Sequence, residues 1–140
     1  MAIPRESSSN RRGEHAALPA DSLFDFDKAI LKPEAAIRIR TYAARAKKLE
    51  NAQVVVIGHT DFLGSDYHDD TLSTARANAV REMLIGEGID RARIAAIGVG
   101  SRIPLKKREQ CPGKPHAPKV VSCLEPNRRV ELWTRTPEAH

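Results

Sequence analysis

The chain has 140 residues, 41% apolar and 29% charged, which allows one domain with a proper core and is too short for two ordinary ones. No stretch approaches the roughly 20 apolar residues of a membrane-spanning helix, and MAIPRESSSNRRGEHAALPADS lacks the apolar run of a signal peptide, so a protein working outside the cytoplasm would be represented here by a piece of a longer chain. The formal charge is +5, and the stretch from Arg102 to Lys119, with six bases against Glu109 alone, accounts for the whole excess. Such a patch favours a polyanionic partner, although a solvated basic loop is the plainer reading.

In chain order, residues 1–21 are polar and predict a disordered linker or tail. Order is expected from Ser22, with SLFDFDKA as a short strand led by Leu23, Phe24 and Phe26. Pro33 suits the first turn of a helix, and apolar residues at 35, 39, 42, 43, 46 and 49 carry that helix to about Glu50. AQVVVIG, residues 52–58, is an unbroken β-branched run and reads as a buried central strand.

GHTDFLGSDYHDD, residues 58–70, then crowds four aspartates and two histidines into a predicted loop. Asp70, Thr71 or Ser73 is expected to cap a second helix over roughly 72–86, ended by Gly86 and Gly88. RIAAIGVG (93–100) is a third strand, and NRRVELWTR (127–135) a last one with Val130, Leu132 and Thr134 on one face; residues 136–140 read as a frayed end. The order β-α-β-α-β-(loop)-β predicts an α/β sandwich, a small mixed sheet with helices packed on one face, over residues 22–135.

Cys111 and Cys123 bracket CPGKPHAPKVVSC. A lone pair at this spacing suits a local disulfide better than a metal site, which needs about four ligands, with two buried thiols as the alternative. A bridge would be worth about 3 kcal/mol and would imply an oxidising compartment.

On a helical wheel of the second helix, Leu72, Ala75, Ala79, Val80, Met83 and Leu84 form an apolar stripe that encloses Arg76, whereas Arg81 points away from it. A guanidinium on a core-facing stripe must be paired or reach a cleft, because burying it unpaired costs several kcal/mol. Asp61 sits where the central strand runs out, so Asp61 and Arg76 are expected near each other at one end of the sheet. If that pair opens onto solvent it suits a zwitterionic amino-acid group, ammonium on the carboxylate and carboxylate on the guanidinium. The alternative is a purely architectural ion pair.

SLFDFDKAILKPE, VVVIGHTDFLGS, LSTARANAVREML, GIDRARIAAIGVGS and CLEPNRRVEL follow one another in this order. Together they resemble the OmpA-like domain, a peptidoglycan-binding module, over residues 22–135. The cysteine pair followed by Pro-Asn-Arg-Arg-Val is most similar to the C-terminal domains of OmpA porins, which often carry such a disulfide. The resemblance implies a non-enzymatic, cofactor-free cell-wall anchor in the periplasm, part of an outer-membrane protein of a Gram-negative bacterium. Its partner would be the diaminopimelate residue of the peptide stem, and its parent chain would carry a barrel or another membrane anchor. By that resemblance Asp61 and Arg76 hold the ligand, Asp27 adds a polar contact, and Arg128 matches an arginine near the ligand. Three positions depart from the family pattern: Asp69 replaces an asparagine that touches the ligand, His68 a tyrosine, and Leu63 a residue that is often small and polar.

Two other functions compete with this one. A metal-dependent hydrolase would use His59, Asp61, His68 and Asp69, but no metal-ligand motif of clear geometry is present. Nucleic-acid binding would rest on the basic stretch alone, where no aromatic side chains interleave the bases, so no nucleic-acid partner is expected.

Overall fold

The computed structural model describes residues 13–136. Four strands, β1 (Gly13–Pro19), β2 (Gln53–His59), β3 (Ile94–Gly98) and β4 (Arg129–Arg135), form one mixed sheet in the order β1-β4-β2-β3. The last strand is therefore central, antiparallel to both β1 and β2, while β2 and β3 run parallel. Helices α2 (Ala35–Ala46) and α3 (Asp66–Gly86) cover the sheet, and α1 (Ala20–Leu23) and α4 (Pro118–Cys123) are single turns or little more.

Alternation along the strands sets the core. Val54, Val56, Val130 and Leu132 share one face of the sheet and pack with Ile39 and Ala43 of α2 and with Ala77, Val80 and Leu84 of α3. Registers Val56↔Leu132 and Ala16↔Leu132 align this row across three strands. The α/β sandwich with a small mixed sheet is as expected. Among the described residues, no helix is long and apolar enough to cross a membrane.

The N-terminal part differs from expectation. Residues 13–19, read as linker, form edge strand β1, and residues 20–23, read as the start of a strand, form α1. GEHAALP has no β-branched residue and ends in proline, so its local preference is weak. Its pairing with β4 along the whole of β1 is what makes it a strand. Of the expected SLFDFDKA strand only a single bridge, Phe24↔Leu31, remains; Phe24 is buried and Phe26 is 94% exposed. Residues 1–12 and 137–140 lie outside the described residues, and Thr136, placed in the frayed end, is buried.

Helix α3 starts six residues earlier than expected. Ser65 caps it, its side chain accepting from His68 N at 3.1 Å, and Asp66 and Asp69 sit in the first turn, where the helix dipole favours negative charge. Asp70 is thus no cap; it lies inside the helix and pairs with Arg102 at 2.7 Å. The buried stripe runs through Ser73, Arg76, Ala77, Val80 and Leu84, while Ala75 is exposed. Arg81 is turned back to the sheet, its Nε donating to Ile94 O at 2.9 Å.

Candidate functional site

Helix α3 lies directly on the ends of β2 and β3 because both have glycine there. A Cβ on Gly58 would come within 2.3 Å of Ser73 O, and one on Gly98 within 2.3 Å of Thr74 N. Ser73 Oγ fixes the contact by accepting from Gly100 N at 3.0 Å. With the helix seated so closely, Arg76, one turn beyond Ser73, and Asp61, just past β2, line one cleft of about 420 Å³. Its other walls are the 21–32 segment, the first turns of α3, Val121 of α4, and His116 and Arg128.

Arg76 is only 6% exposed. Its Nε donates to Lys28 O at 2.8 Å and its Nη2 to Asp25 O at 3.3 Å, with the guanidinium 4.9 Å above the Phe24 ring. Among the described residues no carboxylate lies within ion-pair distance of it. Burial pulls its pKa below the usual arginine value, opposed by the charges of Asp21 and Asp27. A guanidinium keeps its proton even so. Two neutral carbonyls thus hold the group in place while its charge is left to attract an anion.

Asp61 does not pair with Arg76, contrary to the architectural alternative. Its Oδ1 accepts from Leu63 N at 3.0 Å and its Oδ2 from Arg128 Nη1 at 3.0 Å. Arg128 also donates to Val121 O and, through Nε and Nη2, to Asp21. Burial works against the Arg128 charge, but the bonds to Asp21 and Asp61 outweigh it and the pKa is raised. Asp61 is therefore a pre-oriented carboxylate already half satisfied.

Asp27 and His68 meet at the rim, Oδ1 to Nε2 at 2.6 Å, closing the 24–28 turn against α3; Asp27 itself has the left-handed φ of 60°. Asp69 is 3% exposed and lines the same cleft, and its Oδ2 has no hydrogen-bond partner among the described residues. Its pKa is pushed up to about 6, first by burial and then by the neighbouring Asp61 charge. All six residues singled out from the sequence, Asp27, Asp61, Leu63, Asp69, Arg76 and Arg128, line this cleft.

His59 is elsewhere. It is buried on β2 with Nε2 3.2 Å from Glu131, and burial, followed by the Arg129 charge, lowers its pKa. The four side chains of the hydrolase reading are therefore not gathered in one place, and among the described residues no group of three or more His, Cys, Asp or Glu is arranged to hold a metal ion.

Sequence reasoning missed Asp21 and His116. Asp21 lay in the stretch read as linker, and its partner Arg128 is 107 residues away, so no local signal reveals it. His116 reaches the cleft because Cys111 and Cys123 are joined by a disulfide that folds the loop back. Asn127 holds the rest of that loop, accepting from Leu105 N and Lys106 N and donating to Lys106 O. Arg108 stacks over Phe62, 4.4 Å from its centroid.

Residues 23–116 match the OmpA family. The chain belongs to the OmpA family. Outer membrane protein A of Escherichia fergusonii is 36% identical over 121 residues, which are 85% of this chain and 49% of that protein. Outer membrane protein A of Atlantibacter hermannii is 38% identical over the same shares. The chain thus spans about half the length of these relatives. In fold it is similar to the periplasmic domain of Helicobacter pylori MotB (TM-score 0.72, 21% identity, 91% of this chain and 84% of that one). It is also similar to the peptidoglycan-associated lipoprotein of Burkholderia pseudomallei (TM-score 0.66, 24% identity, 84% and 88%). A third similar structure is the cell wall anchor of the T6SS from Pseudomonas aeruginosa (TM-score 0.70, 23% identity, 89% and 82%).

Proposed function

We propose that this OmpA-family domain binds peptidoglycan non-covalently by gripping the zwitterionic end of diaminopimelate in the peptide stem. One observation carries the reading: Arg76 is a buried guanidinium without a carboxylate partner among the described residues, in a cleft that also presents the oriented carboxylate of Asp61. The ligand carboxylate takes the charge of Arg76 through the N–H donors that Lys28 O and Asp25 O leave unused. The ligand ammonium takes the remaining acceptor capacity of Asp61, which Leu63 N and Arg128 hold in position. Asp27 and Leu63 bound the opening.

Such a site recognises and releases; no bond is broken, and the domain is a binder and not an enzyme. Similarity to a peptidoglycan-associated lipoprotein and to a cell wall anchor supports the same reading. The domain would work in the periplasm, tying an outer-membrane protein or a membrane complex of a Gram-negative cell to its wall, with a barrel or other anchor in the parent chain. One weak contact per copy suffices, because many copies act on one polymer.

The test is co-sedimentation with purified sacculi that contain meso-diaminopimelate. Wild type is expected in the pellet, and Asp61→Ala and Arg76→Ala in the supernatant with their circular dichroism intact. Wild-type binding by both variants would remove this site assignment.

A further inference from the structure

The cleft contains a second carboxylate that the reading above does not use. Asp61 has its charge met by Arg128, but Asp69 has no cation within ion-pair distance among the described residues, and its Oδ2 is buried without a partner. Gly64 makes room for the other oxygen: a Cβ there would come within 2.7 Å of Asp69 Oδ1. Asp69 is thus held in place by packing and by the helix it belongs to, with one acceptor unspent. Leaving a buried carboxylate oxygen unpaired is costly, and that cost is recovered only when a donor arrives.

We propose that Asp69 is a specificity-determining residue that, together with Asp61, makes the cleft select a free ammonium over an acylated nitrogen. This rests on the peptidoglycan reading and deepens it. A primary ammonium has a full charge and three N–H donors, enough for Asp61 and for Asp69 Oδ2 at once. An acylated nitrogen has one N–H and no charge; it can serve one carboxylate and leaves the other buried and uncompensated. In a peptide stem the difference is between an amine that is free and one consumed in a cross-link. The cleft would therefore take uncross-linked stems.

The surroundings of Asp69 favour this. Asp66 and Asp70 on its own helix and Asp61 from the loop after β2 all raise its pKa, and His68 alone among the near groups lowers it. Asp27, across the rim, is engaged with His68, while Arg76 and Arg128 line the same cleft. With three like charges around it and burial on top, Asp69 titrates at about 6, so the selection should be present at neutral pH and fade in mild acid.

The experiment is isothermal titration calorimetry with two soluble stem peptides, one with the free side-chain amine of diaminopimelate and one with that amine acetylated, at pH 7.5 and pH 5. Wild type is expected to prefer the free amine at pH 7.5. Asp69→Asn, isosteric and unable to ionise, should cut that preference by about tenfold, the worth of one charge-assisted hydrogen bond. Wild type at pH 5 should approach the Asp69→Asn ratio, and the variant's ratio should stay flat between the two pH values. An unchanged ratio in Asp69→Asn, or the same pH dependence in variant and wild type, overturns the role of Asp69 while leaving the peptidoglycan reading in place. Binding of neither peptide by wild type overturns both.

Discussion

Helices α2 and α3 and the strands beneath them bury a continuous apolar core, whereas the segment from 101 to 128 closes around a small cluster centred on Cys111, Val120 and Leu124. The cleft lies between the two. Its two charged groups that have no ion-pair partner among the described residues, Arg76 and Asp69, are on α3, the wall with the large core. Its satisfied groups, Arg128 with Asp21 and Asp61, lie at the seam, and the small wall contributes Val121 and His116. Uncompensated charge costs stability, so it is carried by the region with stability to spare. The small wall, which cannot carry such a load, is held by a disulfide and by Asn127.

The largest effect that would break this contrast is a cavity in the main core. Leu132 is fully buried at the centre of the sheet, and Leu132→Ala should lower unfolding stability by about 3–4 kcal/mol in urea titrations. Val120→Ala, in the small cluster, should cost about 1–2 kcal/mol, with protection lost mainly in residues 101–128 by hydrogen exchange. Equal losses spread over the whole chain would mean that the two regions are one cooperative unit.

Next comes the staple. Replacing Cys111 and Cys123 by serine should cost at most about 3 kcal/mol by loop entropy. The exchange rates of 101–128 should rise, with the core amides of β2 and β4 little changed. Sacculus binding should weaken, since Val121 and His116 lose their fixed positions, but should persist through Asp61 and Arg76.

A gain in stability sharpens the contrast further. The folded-state pKa of Asp69 is raised to about 6 from 3.8, so between those values the native state holds more protons than the unfolded one. Stability therefore falls as pH rises through this window, and the penalty is complete above about pH 6. Asp69→Asn should accordingly stabilise the ligand-free domain by on the order of 2 kcal/mol at pH 7.5, and by almost nothing near pH 4. Buried His59 has the opposite dependence: its lowered pKa means stability lost as pH falls below 6.5. The difference between variant and wild type, measured by thermal melts across pH, isolates Asp69.

The same division explains what could be read from the sequence. The apolar stripe of α2, the β-branched run of β2 and the alternation of β4 are local patterns of the large core, and they were legible. So was Arg76, because a charge inside an apolar stripe is a local contradiction. What stayed hidden depends on distant partners: β1 is a strand only through β4, and Asp21 joins the site only through Arg128, 107 residues on. The start of α3 was an exception, since Ser65 followed by acidic residues is a local cap signal that the crowding of aspartates obscured. The partner of Asp61 was the other miss, because two arginines were within reach and composition could not choose between them.

The smallest expected effect concerns the rim. Asp27 and His68 are both about half exposed, 47% and 49%, so their 2.6 Å contact is solvent-screened and worth little. The 24–28 turn it touches is held from beneath by stronger means: Phe24 is buried in the main core, and Arg76 donates to the carbonyls of Asp25 and Lys28. His68→Ala should therefore change stability by no more than about 0.5 kcal/mol at low salt, and by nothing measurable at 1 M salt. Sacculus binding should change less than about threefold, because Asp27 is released and not removed. A loss of 2 kcal/mol or more would assign the turn to the rim and not to the core, and the cleft would then have a wall that can open.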